Sequence, residues 1–182
     1  MHENERAVLS RDCAALLIPA GTPINLKAGT EVYITQSLGG NFTIMTDGML
    51  ARIPAQEADA LGFAAPAAAP TGPSAAAGPL NPELLWNEMR TCYDPEIPVN
   101  IVDLGLIYDC KVDELPDGGN RVEVKMTLTA PGCGMGPAIA RDVESKLRAV
   151  PGVTDVYVEV VWDPTWNQSM MTDAARLQLG LM

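Results

Sequence analysis

The residue best placed to do chemistry is Cys133. It lies in Thr127-Leu128-Thr129-Ala130-Pro131-Gly132-Cys133-Gly134-Met135-Gly136-Pro137, a turn rich in glycine and proline. Its first residues continue Arg121-Val122-Glu123-Val124-Lys125-Met126-Thr127-Leu128, which alternates polar and apolar residues, the pattern of a half-buried strand. After it, Ile139, Val143, Leu147 and Val150 recur at helical spacing, and Pro137 suits a first helical turn. A thiol between a strand and a helix N-terminus meets free backbone N–H groups and the positive end of the helix dipole. Both lower its pKa and favour the thiolate, which is the nucleophile and the metal ligand. The same residue also reads as a small apolar side chain filling a tight turn, and these residues alone weigh the two readings evenly.

The other cysteines, Cys13, Cys92 and Cys110, form no C-x-x-C pair, so neither a zinc ribbon nor a thioredoxin-type motif is present. Cys92 and Cys110 read as core residues and Cys13 as the start of a strand. The single histidine is His2, which leaves a Cys–His pair and H-E-x-x-H zinc chemistry unsupported. There is no G-x-x-x-x-G-K-S/T run for nucleotide phosphates. A net charge of -11 excludes a basic nucleic-acid surface and suits contact with proteins or metal centres. Met1-His2-Glu3-Asn4-Glu5-Arg6 has no apolar signal core, and no apolar run is long enough to cross a bilayer, so the expected location is cytoplasmic, away from membranes. Free thiols follow from a reducing compartment.

The elements that must position Cys133 come from the second half of a two-part chain. Residues 1–63 read as a small all-β domain, with short strands at 14–18, 24–26, 31–36, 41–45 and 49–53 separated by glycine turns. Residues 64–80 are almost entirely Ala, Pro, Gly, Ser and Thr, the composition of a flexible linker. Residues 81–182 open with Asn81-Pro82-Glu83, a helix start, and Leu85, Met89 and Cys92 mark one helix face ended by Asp94-Pro95. A loop carrying Asp94, Glu96 and Asp103 follows. A strand over 106–112 turns through 117–120 into the strand before Cys133. After the helix, 156–162 reads as a third strand and 174–179 as a last short helix closed by Gly180. The order predicts an α+β fold, an α-β-β-α-β-α sandwich with a small mixed three-stranded sheet, with one strand–helix–strand crossover spanning Cys133.

Asp94-Pro95-Glu96-Ile97-Pro98-Val99-Asn100-Ile101-Val102-Asp103-Leu104-Gly105-Leu106-Ile107-Tyr108 resembles a signature of the metal–sulfur cluster biosynthesis domain, the family of SufT-like proteins. Thr127-x-Thr129-x-Pro131-x-Cys133 resembles its second signature, and Trp162-Asp163-Pro164-x-Trp166 followed by Met170-Met171 its third. Arg11-Asp12, Leu38-Gly39-Gly40 and Asp59-Ala60-Leu61-Gly62 look like the N-terminal region of SufT-like members. The resemblance implies assembly of iron–sulfur clusters or their delivery to client apoproteins. It implies that Cys133 is the functional and metal-binding cysteine, with Asp94, Glu96 and Thr129 beside it. Ala130 stands where many relatives carry a second threonine, and Gly134 where many carry proline. No cysteine-rich tail is present.

A helix N-terminus stabilises a thiolate by roughly 0.3–2 kcal/mol, whereas a carboxylate about 4 Å away opposes it by roughly 4 kcal/mol at an effective dielectric near 20. With Asp94 or Glu96 that close, the thiol keeps its proton until a metal ion displaces it; with the acids farther off, Cys133 is a reactive thiolate. One cysteine cannot hold a cluster that takes four thiolates. The expectation is therefore a transient iron–sulfur cluster whose remaining ligands come from the assembly machinery, a client or a second copy in a homodimer. A carrier or adaptor is favoured over an enzyme. The alternatives are a cysteine-nucleophile hydrolase using Asp94 or Glu96 as base, and a pure interaction module.

Overall fold

The computed structural model describes residues 5–64, 80–116 and 118–181. His2, Asp117 and most of the expected linker, residues 65–79, lie outside the described residues. The chain divides into two compact units, Met1–Ala68 and Ala69–Met182.

The first unit is a six-stranded antiparallel sheet in the order β1-β4-β5-β6-β2-β3. Its strands are β1 (Glu5–Val8), β2 (Cys13–Leu17), β3 (Pro23–Leu26), β4 (Glu31–Leu38), β5 (Asn41–Thr46) and β6 (Met49–Ile53). Register sorts the faces: Ile34, Ile44 and Ala51 lie side by side in the core, and their chain neighbours Tyr33, Met45 and Leu50 form a parallel row on the exposed face. β1 was not expected, since Glu5-Arg6-Ala7-Val8 has no clear alternation; edge pairing with β4 and an Arg6–Glu31 ion pair hold it. A 3₁₀ helix over Ala55–Leu61 was also unassigned. It inserts Ala58, Ala60 and Leu61 into the core, and Arg11 forks onto Asp59 and reaches Glu57 from outside. Asp12 accepts from Ala28 N–H and Lys27 Nζ, each at 2.8 Å. The N-terminal motif residues thus tie loops of this unit together.

The second unit follows the expected order: α1 (Pro82–Met89), β7 (Ile107–Glu114), β8 (Asn120–Met126), α2 (Gly136–Arg148), β9 (Val153–Val160) and α3 (Asp173–Gln178). Its sheet runs β7-β8-β9, the first pair antiparallel and the second parallel, so α2 is the crossover. Asn81 caps α1 by accepting from Glu83 N–H, and Pro82 occupies the first turn. Cys92 is not on the helix. α1 stops at Met89, and the chain tightens into i→i+3 bonds, Thr91 N–H to Glu88 and Cys92 N–H to Met89, which still bury Cys92 completely. The third strand starts at Val153 and ends at Val160, leaving Trp162 beyond it and 45% exposed. Leu85, Met89, Val122, Val124, Met126, Ile139, Val143, Leu147 and Val156 form the buried layer between helices and sheet. Burial of each side chain of this size contributes roughly 1.5–3 kcal/mol. The opposite face carries charge in register: Asp109, Lys125 and Glu159 in one row, Asp113, Arg121 and Asp155 in another. Among the described residues no helix is long and apolar enough to cross a membrane.

Candidate functional site

Strand direction decides which loops meet. Ile107, Met126 and Val160 sit side by side in the sheet, being the first residue of β7 and the last residues of β8 and β9. The segment leading into β7, the turn after β8 and the segment after β9 therefore share one edge. The first carries Asp94 and Glu96, the second Thr129 and Cys133, and the third Trp162, Trp166, Met170 and Met171. Segments far apart in sequence, each carrying one of the three signatures, thus adjoin where Thr127 N–H meets Leu106 O and Val161 N–H meets Met126 O, at the C-terminal ends of the two parallel strands, where open sheets with crossover helices receive ligands.

The Cys133 turn is held from within: Cys133 N–H donates to Ala130 at 3.3 Å, and Gly136 N–H donates to Cys133 at 3.1 Å. Cys133 is half-buried, and α2 begins three residues later at Gly136. The expected free donors of the helix start are partly used up. Gly136 N–H bonds back to Cys133, Ala138 and Ile139 N–H bond to Met135, and Pro137 has none. What the first turn offers a thiolate is the field of its dipole rather than a set of open N–H groups. Gly136 lets Leu128 pack close: a Cβ there would lie 2.5 Å from Leu128 Cδ1, and that side chain would have to shift.

Asp94 is 2% exposed, and its Oδ1 accepts from Glu96 N–H at 2.9 Å. Its carboxylate therefore shapes the turn that presents Glu96, and Glu96 itself is exposed. Asn100 closes the rest of this loop: its Oδ1 accepts from Val102 and Asp103 N–H, and its Nδ2 donates to Asp103 Oδ2 at 2.6 Å. Thr129 is half-buried two residues beyond Thr127, whose Oγ1 is buried without a hydrogen-bond partner.

The third segment clamps the first. Trp166 Nε1 donates to Leu104 O at 2.8 Å, Tyr108 Oη to Pro164 O at 2.7 Å, Thr172 N–H to Asp103 O at 2.9 Å and Gln178 Nε2 to Pro98 O at 2.8 Å. Gly105, at φ 72°, comes so close that a Cβ would lie 2.2 Å from the Met170 carbonyl oxygen. Tyr108, Trp166 and Gly105 all stand in the signatures read from the sequence, but their task of holding the acidic loop has no local signal. Among the described residues no group of three or more His, Cys, Asp or Glu side chains could hold a metal ion.

Residues 83–160 match the family model of the iron–sulfur cluster assembly protein. A relative from Porphyromonas gingivalis, described as an Fe-S protein maturation auxiliary factor, is 46% identical over 109 residues, 57% of this chain and 100% of its own length. The Fe-S protein maturation auxiliary factor SufT of Staphylococcus aureus is 42% identical over 48% of this chain and 96% of its own length. A solved structure, a domain of unknown function from Bacillus anthracis, is 36% identical and covers 54% of this chain and 90% of its own, with a TM-score of 0.47. A crossover α+β unit with one cysteine at the mouth of its parallel strands is thus matched by sequence over its central part. The chain belongs to the iron–sulfur cluster assembly protein family.

Proposed function

We propose that the chain is an auxiliary factor of iron–sulfur protein maturation, carrying a cluster or helping its transfer to client apoproteins through Cys133. The observation that carries this reading is the placement of Cys133: a half-buried thiol at the start of α2, on the edge where all three signature segments meet. Family membership supports the class of cargo. A single thiol, with no group of three ligands among the described residues, suits cargo held together with a partner rather than a resident centre. The scaffold, a client or a second copy of the chain supplies the remaining ligands. Glu96, exposed beside the turn that Asp94 shapes, is suited to take the thiol proton as a metal displaces it, and Thr129 to hydrogen-bond the cargo. A carrier working in the cytoplasm fits this role.

The test is anaerobic reconstitution with iron, sulfide and a small thiol, read by visible absorbance, beside complementation of a deletion strain read as the activity of a cluster-containing enzyme. The wild type should take up a cluster and Cys133→Ser should not. Absence of uptake together with full complementation by Cys133→Ser would put the interaction-module reading in its place.

A further inference from the structure

Among the described residues the two sheets end in four edge strands, β1 and β3 in the first unit and β7 and β9 in the second. An open edge invites pairing with another chain, and proteins blunt it with shortness, charge, proline or a bulge. β1 and β3 are four residues each; β1 carries Glu5 and Arg6, and β3 opens with Pro23. β7 is bulged between Ile107 and Asp109 and carries Asp109, Lys111, Asp113 and Glu114. β9 lacks these protections over residues 155–160. No proline interrupts it, and its register shift comes before Asp155. Its two acids are drawn towards β8, Asp155 to Arg121 at 3.0 Å and Glu159 to Lys125 at 4.0 Å.

The ladder with β8 fixes which backbone groups of β9 face away. Val161 N–H donates to Met126 O at 2.8 Å, and Val122, Val124 and Met126 lie beside Val156, Val158 and Val160. In a parallel ladder of this register Tyr157, Glu159 and Val161 turn their N–H groups to β8, so Val156, Val158 and Val160 turn N–H and C=O outwards. Among the described residues no strand meets them. Val156 is buried, but Val158 and Val160 on the same face are only half-buried, and Tyr157 on the opposite face is 58% exposed. β9 thus offers a row of open backbone groups with half-covered valines alongside.

We propose that the open edge of β9 is the interface with a second copy of this chain, the two β9 strands pairing antiparallel about a two-fold axis at Val158 to continue both three-stranded sheets as one. Charge selects the register. An axis at Tyr157 would set Asp155 against Glu159 of the second copy, and the reverse, and like charges directly opposite are destabilising. An axis at Val156 would carry Val160 beyond the start of the second β9. An axis at Val158 sets Val156 against Val160 of the second copy and Tyr157 against Glu159 of the second copy. Valines then meet valines on one face, and a phenol hydroxyl meets a carboxylate on the other. The outward N–H groups of each copy reach the outward carbonyls of the other. The same strand serves on both sides, as a two-fold interface requires. Antiparallel pairing sends the two Cys133 turns to opposite ends of the joined sheet, so each copy keeps a site of its own and the pairing does not rest on the carrier reading.

The experiment is sedimentation equilibrium of the full, unloaded chain from roughly 5 to 200 µM in about 0.15 M salt, where long-range charge effects are screened. Wild type should pass from monomer to dimer over this range, and Cys133→Ser should do the same. Val158→Pro removes the central outward N–H, which the ladder to β8 does not use, and should weaken the dimer at least about tenfold. Tyr157→Glu, at an exposed position, would face Glu159 of the second copy and should weaken the dimer roughly tenfold, whereas Tyr157→Lys should hold or tighten it. If circular dichroism shows that Val158→Pro has lost its fold, the two Tyr157 variants decide. A wild type that stays monomeric overturns the proposal and leaves the β9 edge to a strand from another protein. So does a dimer that all three β9 variants leave unchanged, since its interface lies elsewhere. A Tyr157→Lys that dissociates as far as Tyr157→Glu overturns the axis at Val158.

Discussion

Cys133 differs from the other thiols in its surroundings. Cys13 is 2% exposed and Cys92 fully buried, and both Cys13 and Cys110 have pKa values raised chiefly by burial, with Asp109 adding to the effect at Cys110 and Glu57 at Cys13. Only the thiolate reacts, so graded iodoacetamide labelling with peptide mapping should modify Cys133 first at pH 8. Cys13 and Cys110 should gain reactivity only as pH rises above the ordinary thiol range. The same shift has a sign for stability: the unfolded chain loses these protons first, so folding weakens as pH climbs through that range. Faster labelling at Cys13 would contradict the assignment. Cys133→Ser should keep its circular dichroism and melt within a few degrees of wild type, because the turn is held by backbone bonds that serine leaves alone. It should lose cluster-enzyme maturation in a deletion strain. Glu96→Gln and Asp94→Asn should weaken maturation less. Asp94→Ala, which leaves Glu96 N–H without its acceptor, should in addition cost about 1–2 kcal/mol in denaturant melts.

At the scale of elements, the clamp between the segment after β9 and the acidic loop is the most sensitive contact. Gly105→Ala would place a Cβ on the Met170 carbonyl and force alanine into a left-handed conformation. That conformation alone costs roughly 1–2 kcal/mol. With the overlap added, the melting midpoint of the second unit should fall by at least about 8 °C. Gly118→Ala is the control: its φ is 79° but nothing lies within 4 Å of the added methyl, so only the conformational part should appear. Equal losses in the two variants would show that the Met170 contact yields at no cost.

Each of the two units has a core of its own: Val32, Ile34, Ile44 and Ile53 in the first, and Leu85, Met126, Ile139 and Leu147 in the second. Residues 81–182 expressed alone should therefore unfold cooperatively and still take up cluster, since every signature residue is within them; a molten fragment by near-ultraviolet circular dichroism would refute this. The first unit should be the more acid-sensitive. Asp59 is held below the ordinary carboxylate range by Arg11, and Asp12 by Lys27 and Ala28 N–H. The unfolded chain takes up these protons first, so this contribution is present above the ordinary carboxylate pKa and lost as pH falls through the depressed folded values. Asp59→Asn should flatten that part of the acid-unfolding profile measured on residues 1–68.

Local pattern was enough to reveal the α+β order and the turn that carries Cys133. Alternation in 121–126, helical spacing from Ile139 to Leu147 and the Asn81-Pro82 cap are each decided within a few residues. Where the elements end was less legible. α1 stops before Cys92 because the chain must turn to bring Ile101 N–H onto Cys92 O, and β9 stops before Trp162 because Trp166 and Pro164 are drawn onto Leu104 and Tyr108. Both are contacts with residues distant in the chain, which no local propensity encodes. The cysteine and the acids could be named from the chain alone, but that the segments carrying them adjoin at the ends of the strands follows from β7 running against β8 and β9 running with it. Thr127 shows the same division: its hydroxyl is plain in the sequence, whereas its burial without a partner is a property of the packed core.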